Sequence, residues 1–163
     1  MKECKLTNSP EDQSIKAVLN LLQDSGLIDK YQGHCSSAAK SLYSLLLQNG
    51  IRSRVEICDV MLRIHKPNEP QQLIVIGYAE EHVQLGREDL HAVVVTETAT
   101  PWLIDTSIQK WLPTESKIIC EPAVIGDPIL FGNYSNPLYS ITYTKRYLED
   151  PRIKNEYHPS SSR

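Results

Sequence analysis

The sequence has few cysteines, and none of them form a close pair. Its four cysteines, Cys4, Cys35, Cys58 and Cys120, lie far apart, and no C-x-x-C pair occurs. Structural zinc sites need ligands at such close spacing, so we expect no zinc site. Cofactor motifs and the acidic pattern of a calcium loop are also missing, and we therefore expect no metal ion and no cofactor.

Long apolar runs are absent too. No segment reaches the ~20 apolar residues that a bilayer-spanning helix requires, so we expect no membrane association. Residues 1–12 are polar and lack the apolar stretch of a secretory signal. We therefore predict a cytoplasmic location, where thiols stay reduced and a disulfide framework is not expected. Export by a pathway that does not use a secretory signal is the alternative.

The chain has no excess of basic residues. It carries 17 Lys and Arg against 20 Asp and Glu, a formal net charge of -3. This balance gives no electrostatic footprint for nucleic acid, so no nucleic-acid partner is expected. The 163 residues are 40% hydrophobic and 23% charged, an ordinary mixture for one soluble domain. We predict one folded domain over residues 1–148 and a disordered polar tail over residues 149–163.

Two helices are predicted in the N-terminal third of the chain. Ser9 suits an N-cap and Pro10 the first helical position, and apolar residues then recur at helical spacing until Gly26, which suits a C-cap. The second helix is predicted over Cys35–Gln48 and ends at Asn49. Its apolar stripe consists of Ala38, Ala39, Leu42, Leu45 and Leu46.

After residue 50 the apolar residues alternate, as they do in strands. We predict strands over residues 52–64, 73–78, 90–97, 102–105 and 138–145, with loops over 66–71 and 83–89. The third and fourth strands are joined by a short turn and should form a hairpin. Residues 111–136 contain several prolines and glycines and are predicted to be irregular. The fold class that follows is α+β, with N-terminal helices packed on an antiparallel β-sheet.

Cys35 is the cysteine whose position favours reactivity. It stands at the predicted start of the second helix, where unpaired N–H groups and a partial positive charge favour the thiolate, the reactive form. It shares the apolar face of Ala39 and Leu42, so its sulfur should face the sheet. The alternative is an inert buried thiol, which is our interpretation of Cys58 and Cys120.

A thiolate needs a proton carrier to complete acyl transfer, and histidine serves best near neutral pH. His91 begins the predicted third strand and Asp105 ends the fourth. A hairpin of these strands brings the two side chains together, and the carboxylate can then hold the imidazole in one tautomer. The alternatives are a core histidine at position 91 and a turn-forming aspartate at position 105.

Four segments carry a resemblance to a known family: YQGHCSSA at 31–38, NGIRSRV at 49–55, LHAVVV at 90–95 and WLIDT at 102–106. Together they resemble the transglutaminase-like superfamily, whose core is similar to those of papain-like peptidases and arylamine N-acetyltransferases. The resemblance covers roughly residues 31–106. It implies Cys35 as the nucleophile, His91 as general base and acid, and Asp105 as the residue that orients the histidine.

The resemblance to papain-like peptidases also implies a candidate for the residue that stabilises the oxyanion. In papain-like enzymes a glutamine donates to the oxyanion, and Gln32 is the corresponding candidate here, at a different offset from the cysteine. The backbone N–H of Cys35 is the other candidate donor. Ser36 follows the cysteine where transglutaminases and peptidases often carry an aromatic residue, which argues against crosslinking activity.

The sequence therefore predicts a cysteine-dependent acyl-transfer enzyme whose catalytic domain spans residues 1–148. Hydrolysis of a peptide or isopeptide-like amide through a thioester is the leading hypothesis, with a protein, a peptide or a small acyl donor as substrate. An amine-directed acyltransferase, a non-catalytic binding module and a toxin or effector are the alternatives. Neither the substrate nor the oligomeric state follows from the sequence.

Overall fold

The computed structural model describes residues 5–30, 32, 34–76, 91–113 and 118–145. Within these residues the chain forms three α-helices and seven β-strands. The helices are α1 (Pro10–Ser25), α2 (Leu27–Lys30) and α3 (Cys35–Gln48). The strands are β1 (Ser53–Ile64), β2 (Gln72–Ile76), β3 (His91–Thr96), β4 (Trp102–Asp105), β5 (Ile119–Pro122), β6 (Leu130–Ser135) and β7 (Tyr139–Lys145). A 3₁₀ turn at Gln109–Trp111 follows β4.

The two long helices agree with the sequence predictions. The Ser9 hydroxyl accepts a hydrogen bond from the Asp12 backbone N–H at 3.1 Å, and Pro10 is the first residue of α1. Gly26 ends α1 in the left-handed conformation, at φ 77°, which a residue without a Cβ adopts freely. Helix α3 has the bounds that were predicted for it. Helix α2 was not predicted, because four residues are too short to show a periodicity.

The strands form one antiparallel sheet in the order β5-β4-β3-β1-β7-β6. Strand β1 is long enough to pair with three partners. Its first half pairs with β3 and its second half with β2 along one edge, while β7 pairs along the other edge. The predicted hairpin of β3 and β4 is confirmed, with Val94 opposite Ile104 and Val95 opposite Leu103.

The sheet curls until its end strands, β5 and β6, almost meet. The N–H of Val124 donates to the carbonyl of Phe131 at 2.7 Å, and a Cβ on Gly132 would lie 3.3 Å from the Leu103 Cδ1. The prediction that residues 111–136 are irregular is therefore wrong for Ile119–Pro122 and Leu130–Ser135, which form β5 and β6. Both strands are short, and each contains a residue that usually disfavours strands, Pro122 at the sheet edge and Gly132 beside a β-bulge.

Two apolar cores lie on the two faces of this sheet. The first fills the space between the helices and the outer face, and includes Leu19, Cys35, Leu42, Val94 and Trp102. The second is enclosed by the curl and includes Cys58, Val60, Val93, Leu103 and Tyr143. All helices that pack on the sheet in the described residues pack on its outer face, so the fold is α+β, as predicted.

Several predictions from the sequence fall outside the described residues. They concern the end of the second strand beyond residue 76, the loop at 83–89 and the tail at 149–163. Among the helices that the structure describes, none is long and apolar enough to cross a membrane.

Candidate active site

Cys35 is the first residue of α3 and reaches the site from the helical side. Its side chain belongs to the outer core with Ala39 and Leu42, and the residue is 8% exposed. The thiol is hydrogen-bonded to the imidazole of His91. The N-terminal end of α3 thus meets the sheet where β3 begins.

His91 is the first residue of β3 and lies opposite Cys58 of β1. The ring is buried, with 3% of the residue exposed, and its Nε2 lies 2.7 Å from the Oδ2 of Asp105. Since Asp105 occupies Nε2, the nitrogen left for the thiol of Cys35 is Nδ1. The imidazole therefore bridges a sulfur on a helix and a carboxylate on a strand.

Asp105 is the last residue of β4 and is completely buried. The pairing of Val94 with Ile104, continued by one residue, sets Asp105 opposite Val93 and on the same face of the sheet as His91. Diagonal neighbours on paired strands lie close enough for a ring to reach a carboxylate, and here Nε2 and Oδ2 are 2.7 Å apart. The hairpin alone is thus enough to bring the two residues together.

Four hydrogen bonds hold the Asp105 carboxylate. Oδ2 accepts from His91 and from the Tyr143 hydroxyl, the latter at 2.8 Å. Oδ1 accepts from the backbone N–H of Ser107 at 3.0 Å and from its hydroxyl at 3.4 Å. The turn-forming aspartate and the histidine partner, which the sequence offered as alternatives, are therefore combined in one residue. With donors on both oxygens, the carboxylate has a single orientation.

The charges of the buried pair favour an imidazolium and a carboxylate. Burial lowers the pKa of His91, but the charge and hydrogen bond of Asp105, assisted by Cys35, outweigh it and raise the pKa to about 10. Burial likewise raises the pKa of Asp105, but His91, Ser107 and Tyr143 outweigh it and hold the pKa below its usual value. At neutral pH the ring therefore carries a proton on each nitrogen and can stabilise a thiolate.

Cys58 and Cys120 have the buried positions predicted for them. Cys120 lies in the outer core on β5, and Cys58 lies in the enclosed core across from His91. Burial, followed by the nearby charge of Asp105, raises the pKa of Cys58 well above its ordinary value. Cys58 therefore remains a neutral thiol even though it lies beside the histidine.

Gln32 lies next to the site but is occupied by other contacts. Its Nε2 donates to the carbonyl of Ile28 at 3.0 Å and to that of Thr106 at 3.1 Å, and its Oε1 accepts from the N–H of Lys110 at 3.1 Å. In this arrangement both amide hydrogens are used, so the geometry gives Gln32 a bridging role between α2 and the loop after Asp105. The predicted donation to an oxyanion requires another side-chain orientation.

Sequence reasoning missed Tyr143 and gave Ser107 no role at the site. Tyr143 lies on β7, 38 residues after Asp105, and only the order of strands in the sheet brings it there. No local pattern marks it, since it reads as one more apolar position of an alternating strand. Ser107 follows Asp105 by two residues, a spacing that is typical of an Asx turn and could have been used.

In the residues that the structure describes, no group of three or more His, Cys, Asp or Glu side chains is placed to hold a metal ion. Comparison of the chain with protein families, with characterised proteins and with solved structures finds no match. Inferences about function therefore rest on the geometry and chemistry of the site.

Proposed function

We propose that the chain is a cysteine-dependent acyl-transfer enzyme with a transglutaminase-like core, in which Cys35, His91 and Asp105 form the catalytic triad. The observation that carries the proposal is the buried relay from thiol to imidazole to carboxylate, with 2.7 Å between Nε2 and Oδ2. A helix N-terminus under the sulfur and an imidazolium beside it both favour the thiolate.

In the first half-reaction the Cys35 sulfur attacks a carbonyl carbon and forms the C–S bond. The negative charge that develops on the carbonyl oxygen is stabilised by the backbone N–H of Cys35, the first amide of α3. His91 transfers a proton to the leaving nitrogen, and the C–N bond breaks. The products are an amine, an acyl thioester on Cys35 and a neutral imidazole.

In the second half-reaction the neutral His91 takes a proton from water while the water oxygen attacks the thioester carbon. The C–S bond breaks, the acid leaves, and the thiolate and imidazolium are restored. Asp105 keeps the ring oriented and stabilises its positive charge in both halves. Hydrolysis of a peptide or isopeptide-like amide is the net reaction that we propose.

A small activated ester tests the proposal directly, because its cleavage needs only the triad and no specific substrate pocket. With p-nitrophenyl acetate, we expect release of p-nitrophenolate by the wild-type chain and by Cys120→Ala, and only the uncatalysed rate with Cys35→Ala. Cys120→Ala is the matched control, because it removes a buried thiol on β5, which β4 separates from the strand that carries His91. Equal rates for the wild type and Cys35→Ala would overturn the assignment.

The acceptor of the acyl group distinguishes hydrolysis from transfer. Water and an added primary amine should be offered together to the acylated protein, and the products separated. Free acid as the main product supports hydrolysis, whereas an amide in proportion to the amine identifies an amine-directed acyltransferase. A wild-type chain that forms no acyl adduct with any donor tried would favour the non-catalytic binding module.

A further inference from the structure

The hydroxyl of Tyr143 bonds to the same carboxylate oxygen as His91. Its distance to the Asp105 Oδ2 is 2.8 Å, against 2.7 Å for the histidine Nε2. The residue is 1% exposed, and its ring centroid lies 6.4 Å from that of His91. Burial, followed by the Asp105 charge, raises the pKa of Tyr143 well above its usual value, so the phenol stays protonated and acts as a donor.

Two donors on one oxygen compete for the same negative charge. Each hydrogen bond disperses part of the charge of Oδ2 and so weakens the attraction that the other donor feels. The Tyr143 hydroxyl therefore reduces how strongly Asp105 holds the proton of His91. This matters because a proton bound too tightly is a poor acid towards a leaving group.

Titratable groups on α3, β1 and β7 surround the pair and its neighbours. Groups with an electrostatic influence on Asp105, His91, Cys58 or Tyr143 include Cys35 on α3, Glu56, Cys58 and Asp59 on β1, and Tyr139 on β7. Tyr143 is hydrogen-bonded to Asp105 and Cys35 to His91. The effect of the Tyr143 hydroxyl can therefore be isolated by removing one atom.

We propose that Tyr143 is a positioning residue of the triad, which fixes the Asp105 carboxylate and weakens its hold on the His91 proton. Its catalytic meaning rests on the proposed acyl-transfer function. The effect of Tyr143 on the reaction rate depends on the leaving group. Reactions in which the leaving group needs a proton depend on Tyr143, and reactions with a leaving group that departs as an anion do not.

The test compares Tyr143→Phe with Tyr139→Phe, which removes another buried hydroxyl from the same strand and the same face. The His91 imidazole is titrated by ¹⁵N NMR in both variants and in the wild type. Rates are then measured for a p-nitroanilide and a p-nitrophenyl ester of the same acyl group. We expect a higher His91 pKa in Tyr143→Phe, and a ratio of anilide to ester rates that falls about tenfold, the size expected for a hydrogen bond to a charged group. Tyr139→Phe should change neither.

Two outcomes decide against the inference. An unchanged or lower His91 pKa in Tyr143→Phe overturns it, and so does a higher pKa with an unchanged ratio of rates. If the wild type reacts with neither substrate, the acyl-transfer function fails, and the titration alone decides whether Tyr143 weakens the hold on the proton. If Tyr143→Phe does not fold, 3-fluorotyrosine in place of Tyr143 gives a stronger donor and should lower the His91 pKa.

Discussion

The His91 side chain connects the two sides of the site. One ring nitrogen meets a carboxylate with a fixed orientation, and the other meets the thiol that begins α3. Because the ring is buried, its charge depends on Asp105 far more than on solvent. The stability of the chain should therefore depend on pH in a way that reports on this pair.

We predict that the free energy of unfolding decreases as the pH rises from 6.5 to about 10. The pKa of His91 is raised from 6.5 to about 10, so its stabilising contribution is complete below pH 6.5 and is lost as the pH passes through the folded value. The decrease should be about 3–5 kcal/mol, since one pKa unit corresponds to about 1.4 kcal/mol. Urea unfolding at several pH values measures it.

The Asp105→Asn variant provides the comparison. Without the carboxylate charge, burial dominates and lowers the pKa of His91, so the decrease between pH 6.5 and 10 should largely disappear. At the acid end the pKa of Asp105 is lowered, so its contribution persists above pH 3.8 and is lost only below that value. If the free energy of unfolding of Asp105→Asn decreased between pH 6.5 and 10 as steeply as that of the wild type, the result would show that the pair is not charged.

At the residue level, the sequence was sufficient to propose the three residues of the triad. It was not sufficient to propose the residues that hydrogen-bond to them or lie beside them. Cys35, His91 and Asp105 could be proposed because chemistry requires such groups and each begins or ends a predicted element. Tyr143 could not, because its contact depends on β7 pairing with β1, which no local pattern shows. The bridging contacts of Gln32 depend likewise on where a distant loop comes to lie.

Among the elements, α1 is fixed to the strand that carries Asp105. The Asp12 Oδ2 accepts from the N–H of Thr7 at 2.9 Å and from its hydroxyl at 2.7 Å, and the Asp12 Oδ1 accepts from the Trp102 Nε1 at 2.9 Å. Trp102 begins β4, and Asp105 ends it. A single buried carboxylate thus joins the first turn of a helix to a strand of the site.

We predict that Asp12→Ala destabilises the chain by about 2–4 kcal/mol. The change leaves the buried indole N–H without its acceptor and removes hydrogen bonds to a charged group. Asp24→Ala is the control, since Asp24 is exposed on the same helix and its loss should cost less than about 0.5 kcal/mol. Chemical denaturation measures both, and equal effects would show that the contact to Trp102 contributes nothing.

The elements that sequence patterns predicted well are those with many residues or clear end signals. Helices α1 and α3 and strand β1 are long, and their caps or alternation are visible in the sequence. Strands β5 and β6 were missed because they contain Pro122 and Gly132, residues that usually disfavour strands. Their pairing follows from closure of the sheet, a tertiary effect that overrides local preference.

For the whole molecule, the curl of the sheet decides where the site forms. It encloses a core whose members include Leu103, two residues before Asp105 and on the same face, and Tyr143. Strand β6 closes over this core at Gly132, where the absence of a side chain permits a close approach to Leu103.

We predict that Gly132→Val destabilises the chain by about 1–3 kcal/mol, because the added carbons overlap the space of Leu103. Displacement of Leu103 should also disturb Asp105 and lower the rate of ester cleavage. Asn133→Val, an exposed neighbour on the same strand, is the control and should change neither quantity. Thermal unfolding and the p-nitrophenyl acetate assay test the two effects, and a fully active Gly132→Val would contradict the link between closure and the site.

The most direct measurement is to trap the acyl intermediate and locate it. The native chain is incubated with a panel of acyl thioesters and activated esters, quenched in acid, and mapped by peptide mass spectrometry. We predict one acyl group, on Cys35, which hydroxylamine removes and which the His91→Ala variant forms far more slowly. An acyl group on Cys58, on Cys120 or on a residue other than cysteine, or equal acylation of Cys35 without His91, would contradict a triad built on Cys35.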